Sequence, residues 1–230
     1  MLKISQIEDL YDIVNKGRKE GFCFGGEELP QDIESERWPW ENKDIPRIIS
    51  VLEFRELAKK MKGKKILTIS GQGDPEMEYV KYEEWDNIHY ADDPEKYDLH
   101  TMNLECKDYD CVMINQVLEH LYNPCEALKN TNRHMKKGGL LYINAPANNI
   151  IHYEPLHFYT GFTPMGLGAL MLEAGFEVEV VRSWGNNRIA RLMFEKNTYP
   201  TMENIDETIE NPYGNEIICP LIVWALGKKI

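Results

Sequence analysis

Apolar residues recur at Ile4, Ile7, Leu10, Tyr11 and Val14, the three-and-four spacing of a helix, and Gly21 closes the segment. The spacing predicts a helix over residues 2–20. A second helix is expected over 46–61, with Ile48, Ile49, Leu52, Leu57 and Met61 facing inward and Gly63 stopping it. The period then changes. Ile66, Leu67 and Ile69 make a short buried strand that ends at Ser70-Gly71-Gln72-Gly73. Residues 75–85 are expected to hold a short helix, 87–91 the next strand and 97–100 a very short third one.

The pattern sharpens from Tyr109. Residues 109–115 read as a buried strand. Asn123 and Pro124 suit the start of a helix, with Ala127, Leu128, Thr131 and Met135 on one face and Lys136, Lys137 and Gly138 at its end. Leu140 to Ala145 is a second buried strand, stopped by Pro146. Strand, helix and strand at these lengths predict a βαβ unit with parallel strands. Thr163-Pro164 opens another helix, with Leu167, Leu170 and Met171 inside and Gly175 after it. Residues 176–184 alternate apolar and charged side chains, as a strand near a sheet edge does. Residues 220–226 read as the last strand, and 187–219 as an insertion or mobile connection. The chain divides into an N-terminal helical arm or lid, residues 1–62, and a main domain, residues 63–230. Within the arm, Trp38-Pro39-Trp40 either staples the segment to the domain or supplies apolar walls to a lid.

Composition narrows the partners. The 230 residues carry a formal net charge of -12, which argues against a nucleic-acid backbone or an anionic membrane as partner. The five cysteines are scattered without a Cys-X-X-Cys pair, so free thiols in a reducing cytoplasm are expected. No Cys or His cluster has the spacing of metal ligands, so no metal is expected. No signal peptide or membrane-spanning run is visible in the sequence.

Several motifs occur together: Tyr109-Asp110-Cys111-Val112, Gln116-Val117-Leu118-Glu119-His120, Lys137-Gly138-Gly139-Leu140, Asn144-Ala145-Pro146 and His157-Phe158-Tyr159. With Trp38-Pro39-Trp40, Ile69-Ser70-Gly71, Ser183-Trp184-Gly185-Asn186 and the closing Pro220 to Ala225 strand, the sequence resembles the class I S-adenosylmethionine-dependent methyltransferases. The likeness is to the type 11-like branch of bacterial small-molecule and glycan-modifying enzymes. The resemblance implies an α/β, Rossmann-like three-layer sandwich with a seven-stranded, mostly parallel sheet and an antiparallel last strand. It implies S-adenosylmethionine as cofactor across the carboxyl ends of the strands. Cofactor contacts would come from Thr68, Ser70, Gly71, Gln72 and Gly73, from Asp98 and Leu99 near the adenine, and from Asn115, Gln116 and Val117. Trp38, Trp40, Tyr159 and Trp184 would shape the acceptor side. Thr68 stands where the family usually carries a carboxylate.

Methyl transfer from a sulfonium is an in-line displacement, and a hydroxyl acceptor also needs a base. His157 is the first candidate and His152 the second; either could instead simply pack within its loop. Glu119 and His120 read first as structural. Three functions remain open. The first is O-methylation of a small molecule such as a sugar or glycan precursor, with a homodimer as one permitted assembly. The second is a degenerate methyltransferase fold kept for binding or assembly. The third, a nicotinamide-binding enzyme, lacks the third glycine of the Gly-X-Gly-X-X-Gly fingerprint.

Overall fold

The computed structural model describes residues 2–20, 44–63, 65–69, 74–201, 205 and 211–230. Trp38 and Trp40 lie outside the described residues, as do Ser70, Gly71, Gln72 and Gly73. Helix α1 is Ile4–Glu20 and α2 is Ile45–Ala58. Strand β1, Lys65–Ile69, is followed by a short 3₁₀ turn, Pro75–Tyr79, and by β2, Glu84–Ile88. Next come α3 (Pro94–Tyr97), β3 (Tyr109–Asn115), α4 (Pro124–Arg133) and β4 (Met135–Pro146). Helix α5 (Pro164–Glu173), β5 (Phe176–Trp184), α6 (Asn187–Lys196) and β6 (Ile222–Lys229) complete the order.

The strands form one sheet in the order β2-β1-β3-β4-β6-β5. β1 is parallel to β2 and β3, and β3 is parallel to β4; only β6 runs antiparallel to its neighbours, β4 and β5. The antiparallel last strand and the edge position of the 176–184 strand are as expected. The sheet has six strands among the described residues, not seven. The segment expected as the third strand, 97–100, is helix end and turn instead. Asp93 caps it, with its side chain accepting from Lys96 N, and Pro94 fixes a helical start. The helix α4 also stops sooner than expected. It ends at Arg133, and Met135 already pairs with Tyr109, so Lys136 to Gly138 belong to β4.

Alternation along the strands sorts the core into two layers. Leu67, Ile69, Val112, Ile114, Leu141 and Ile143 face α1, α4 and α5, where they meet Leu10, Val14, Ala127, Leu128, Leu167 and Met171. Ile66, Cys111, Met113, Tyr142, Trp224 and Leu226 face α2 and α6, against Ile49, Phe54, Leu57, Ile189 and Met193. Each such side chain contributes about 1.5–3 kcal/mol on full burial. The stripe on α1 is only partly used: Leu10 and Val14 are buried, while Ile4, Ile7 and Tyr11 are exposed. Helix α2 is buried apart from Arg55 and Glu56, so its other polar residues need partners. Arg47 pairs with Glu76, Glu53 with Arg182 at 2.8 Å, and Ser50 donates to Arg47 O at 2.8 Å. The long connection opens with α6, whose start Asn186 caps by accepting from Arg188 N and Ile189 N. Gly185 before it fits because a Cβ there would stand 1.8 Å from Cys219 O. No helix among the described residues is long and apolar enough to cross a membrane.

Candidate functional site

The parallel strands bring their carboxyl ends to one edge, which is where open α/β sheets bind ligands. Two cavities lie there. One, of about 320 Å³, is lined by Ile69, Ile88, Leu99, Val117, Leu121 and Leu156, with Asp98, His100, His120 and Tyr122 also in its wall. The other, of about 380 Å³, carries Asp44, Arg47, Asp74, Asn115, Glu119, Asn149 and Tyr199. Gln116 and His152 line both.

Gln116 is the first residue beyond β3 and has φ 54°, a left-handed conformation that non-glycine residues rarely adopt. Its N–H donates to Asn144 O at 2.8 Å, and its side-chain amide donates to Asn144 Oδ1. The chain is thereby held in a sharp bend where the cavities meet. Asn115 just before it donates through Nδ2 to Asp74 Oδ2 at 3.0 Å, while its own Oδ1 is buried without a partner. In the apolar cavity, Asp98 Oδ1 accepts from His100 N at 2.9 Å and meets His100 Nδ1 at 2.6 Å. The His100 ring stacks on Tyr122 with centroids 4.0 Å apart, which holds the Asp98 segment in place.

The polar cavity is organised by charge. Arg47 makes a bidentate pair with the fully buried Glu76, its second contact at 2.7 Å, and lies 3.7 Å from Asp74. Asp44 is pushed up to about 7 by burial, with Arg47 pulling the other way. Glu119 is also pushed up to about 7 by burial. It is 0% exposed, and neither carboxylate oxygen has a hydrogen-bond partner. The backbone of the 3₁₀ turn Leu118–His120 is better satisfied: Glu119 O accepts from Phe158 N at 2.8 Å and from Tyr159 N at 3.2 Å.

Those backbone bonds draw the loop after β4 over the turn after β3, and three histidines converge as a result. One ring nitrogen each from His120, His152 and His157 lies within 4.8 Å of the other two. His120 Nδ1 faces Leu156 O at 2.6 Å and His152 Nδ1 faces Ile150 O at 2.8 Å. A carbonyl only accepts, so both Nδ1 atoms carry a proton, and in the neutral form of either ring the basic nitrogen is Nε2. His157 has both ring nitrogens buried without a partner and lines neither cavity. Burial holds His120 and His157 below the usual imidazole range, and the charge of His152 adds to this in both.

The remaining expected site residues are placed differently. Thr68 is 0% exposed and lines neither cavity. Its hydroxyl donates to Asn87 Oδ1 at 2.7 Å and accepts from Trp85 Nε1 at 3.0 Å, both on β2. Trp184 is core, donating through Nε1 to Tyr213 O at 3.0 Å. Tyr159 is exposed and donates to Tyr122 O at 3.2 Å. Asp98, Leu99, Asn115, Gln116, Val117 and His152 are brought together at the cavities. Sequence reasoning missed Asp44, Arg47, Asp74, Asn149 and Tyr199, and it read Glu119 and His120 as structural. The available signal was α2 itself: Ile45, Ile48, Ile49, Val51, Leu52 and Phe54 crowd its first turns, so Arg47 among them is expected to be buried and to need an acid.

Residues 49–211 match a family profile described as a methyltransferase domain. Solved structures of similar fold include a provisionally assigned sarcosine dimethylglycine methyltransferase from Galdieria sulphuraria. It is 12% identical, with 80% of this chain and 87% of that one covered and a TM-score of 0.50. A SAM dependent methyltransferase from Archaeoglobus fulgidus is 18% identical, with 80% and 94% covered and a TM-score of 0.47. Phosphoethanolamine N-methyltransferase 2 from Haemonchus contortus, solved with S-adenosyl-L-methionine, is 14% identical, with 76% and 52% covered and a TM-score of 0.48. Among curated proteins, none matches the chain.

Proposed function

The chain belongs to the methyltransferase-domain family, and from that premise we propose that it transfers a methyl group from S-adenosylmethionine to a hydroxyl oxygen of a small polar acceptor, such as a sugar or glycan precursor. The observation that carries this reading is the pair of cavities, one mainly apolar and one more polar, sharing Gln116 and His152. The apolar cavity suits the nucleoside end of the cofactor in size and lining, with Ile69, Ile88, Leu99 and Val117 as walls and Asp98 as a hydrogen-bond acceptor. Bound there, the cofactor supplies an electrophilic methyl on a sulfonium.

The protein's own residues position and deprotonate. Reacting atoms have to be held about 3–3.5 Å apart and in line, and Gln116 marks where the two compartments allow that. His152 presents a free Nε2 in a residue common to both cavities, so it takes the acceptor proton as the oxygen–carbon bond forms. Such a base contributes about 10²–10⁴-fold. Of the two histidines expected for this role, His152 is the better placed, because His157 is closed off from both cavities. Asn149, Tyr199 and Asp74 offer the polar contacts a hydroxylated acceptor requires.

A second reading, a methyltransferase fold kept for binding alone, is favoured by Thr68: its hydroxyl is engaged by β2, and β1 brings no carboxylate there. Calorimetry with S-adenosylmethionine and S-adenosylhomocysteine tests both. Absence of heat and of any thermal shift at millimolar ligand would sink the first reading. Binding together with release of S-adenosylhomocysteine on a sugar panel would sink the second.

A further inference from the structure

His120, His152 and His157 are 32 and 5 residues apart in the chain, so no ligand spacing announces them, yet the fold turns their nitrogens towards one another. We propose that these three histidines form a binding site for a divalent first-row transition metal, best matched by Zn²⁺, at the junction of the two cavities. Three observations point the same way. First, His120 and His152 each donate Nδ1–H to a backbone carbonyl, which orients the ring and leaves Nε2 free; metal-binding imidazoles are held in this manner. Second, both nitrogens of His157 are buried without a hydrogen-bond partner, and an ion would engage one of them. Third, the fully buried Glu119, whose carboxylate oxygens have no hydrogen-bond partner, has Oε1 3.7 Å from His120 Nε2. A carboxylate there balances charge that three neutral imidazoles do not.

The donor set selects the ion. Imidazoles suit zinc, copper, iron and nickel, whereas magnesium and calcium take oxygen ligands. Three protein nitrogens leave a fourth position open, the arrangement of catalytic rather than structural zinc. Zn–N bonds of about 2.0–2.1 Å would draw the rings inward from their present separation of up to 4.8 Å. Because His152 lines both cavities, an ion held by the three histidines would lie beside the place where an acceptor oxygen would arrive. An ion and a proton compete for the same Nε2, so a bound ion would replace His152 as the activating group by acting as a Lewis acid. That role rests on the methyltransferase reading; occupancy of the site does not.

The test uses the full chain, free of any tag and stripped with a chelator. It is dialysed against Zn²⁺ alone and counted by elemental analysis, then loaded with Co²⁺ alone and read by ligand-field absorption. About one ion per chain is expected, with affinity reduced at least ~10-fold in His120→Ala and in His157→Ala. His157→Gln, with circular dichroism as a check of folding, serves if the alanine variant does not fold. Less than about a tenth of an ion per chain at micromolar free zinc, or folded variants that bind as the wild type does, would overturn the site. S-adenosylmethionine calorimetry on the same samples separates the two ideas. Cofactor binding without zinc uptake discards the site and keeps the proposed function, and zinc uptake without cofactor binding does the reverse.

Discussion

The two cavities at the strand ends are similar in size, about 320 and 380 Å³, but the first is mainly apolar and the second mixed. The first is walled by Ile69, Ile88, Leu99, Val117 and Leu121, and its acid, Asp98, is already held by His100. The second sets charged and amide groups, some paired and some not, among apolar walls that include Met193, Leu221 and Ile222. Arg47 and Glu76 satisfy each other, while Asp44 Oδ1, Asn115 Oδ1 and both oxygens of Glu119 are buried without partners. Each unsatisfied group costs about 1–3 kcal/mol, so the polar side is the one that gains most from a ligand. The difference teaches where selectivity lies. The apolar cavity can accept a flat, apolar group with little reorganisation, whereas the polar one discriminates by which orphaned atoms a ligand can satisfy.

The comparison breaks most directly at the shared wall. His152→Ala is expected to lower kcat by about 10²–10⁴-fold in metal-stripped protein, with the Kd of S-adenosylmethionine changed only a few-fold. An unchanged kcat removes His152 as the base. The polar side is attacked next through Arg47→Met, which leaves Glu76 buried and unpaired; urea unfolding at pH 7 should show a loss of about 3–5 kcal/mol. A loss below about 1 kcal/mol would mean that charge pairing does not organise this cavity. On the apolar side, Val117→Trp should fill the slot and weaken S-adenosylmethionine binding by about 10–100-fold. Equal affinity in calorimetry would place the cofactor elsewhere.

Most of the frame could be read from the chain because it follows from local periodicity. The turn from Gln116 to His120 stands between a mostly apolar strand and an Asn-Pro helix start, and both boundaries are visible in the sequence. Gly175 likewise marked the end of α5, and its φ of 88° shows why glycine stands there. The strand expected over 97–100 is absent because Asp93 caps, and Pro94 starts, a short helix that ends at Tyr97. The apolar half of the candidate site was named through the family resemblance, which points to Asp98, Leu99 and Val117; periodicity did not reach them, and the strand it suggested over 97–100 is a helix end and turn. The polar half was not legible. Asp44, Asp74, Asn149 and Tyr199 come from four separated segments, and only the tertiary fold makes them neighbours. The histidine cluster is hidden in the same way, since the backbone bonds from Phe158 and Tyr159 to Glu119 O carry His157 to His120.

The smallest effect is also the one that tests the polar cavity without a ligand. Glu119 goes from an ordinary value of 4.5 to about 7 on burial. Between those values the folded chain keeps a proton that the unfolded chain has lost, so stability falls as pH rises from about 4.5 and levels off above about 7. Asp44, raised from 3.8 to about 7, adds a slope of the same sign. His120 and His157, held low, contribute the opposite sign near their own range, so only a difference between two proteins isolates one group. Glu119→Gln keeps the shape and removes the titration. In the presence of a chelator, the variant should match the wild type below pH 4.5, where the carboxyl is protonated in both states. It should exceed it by about 1–2 kcal/mol at pH 8, less than the full linkage because the cavity admits water. Asp44 should leave part of the wild-type slope in the variant. Superimposable stability curves from pH 4 to pH 8 would show that Glu119 is solvated, and the contrast between the two cavities would then rest on Arg47, Asp44 and Asn115 alone.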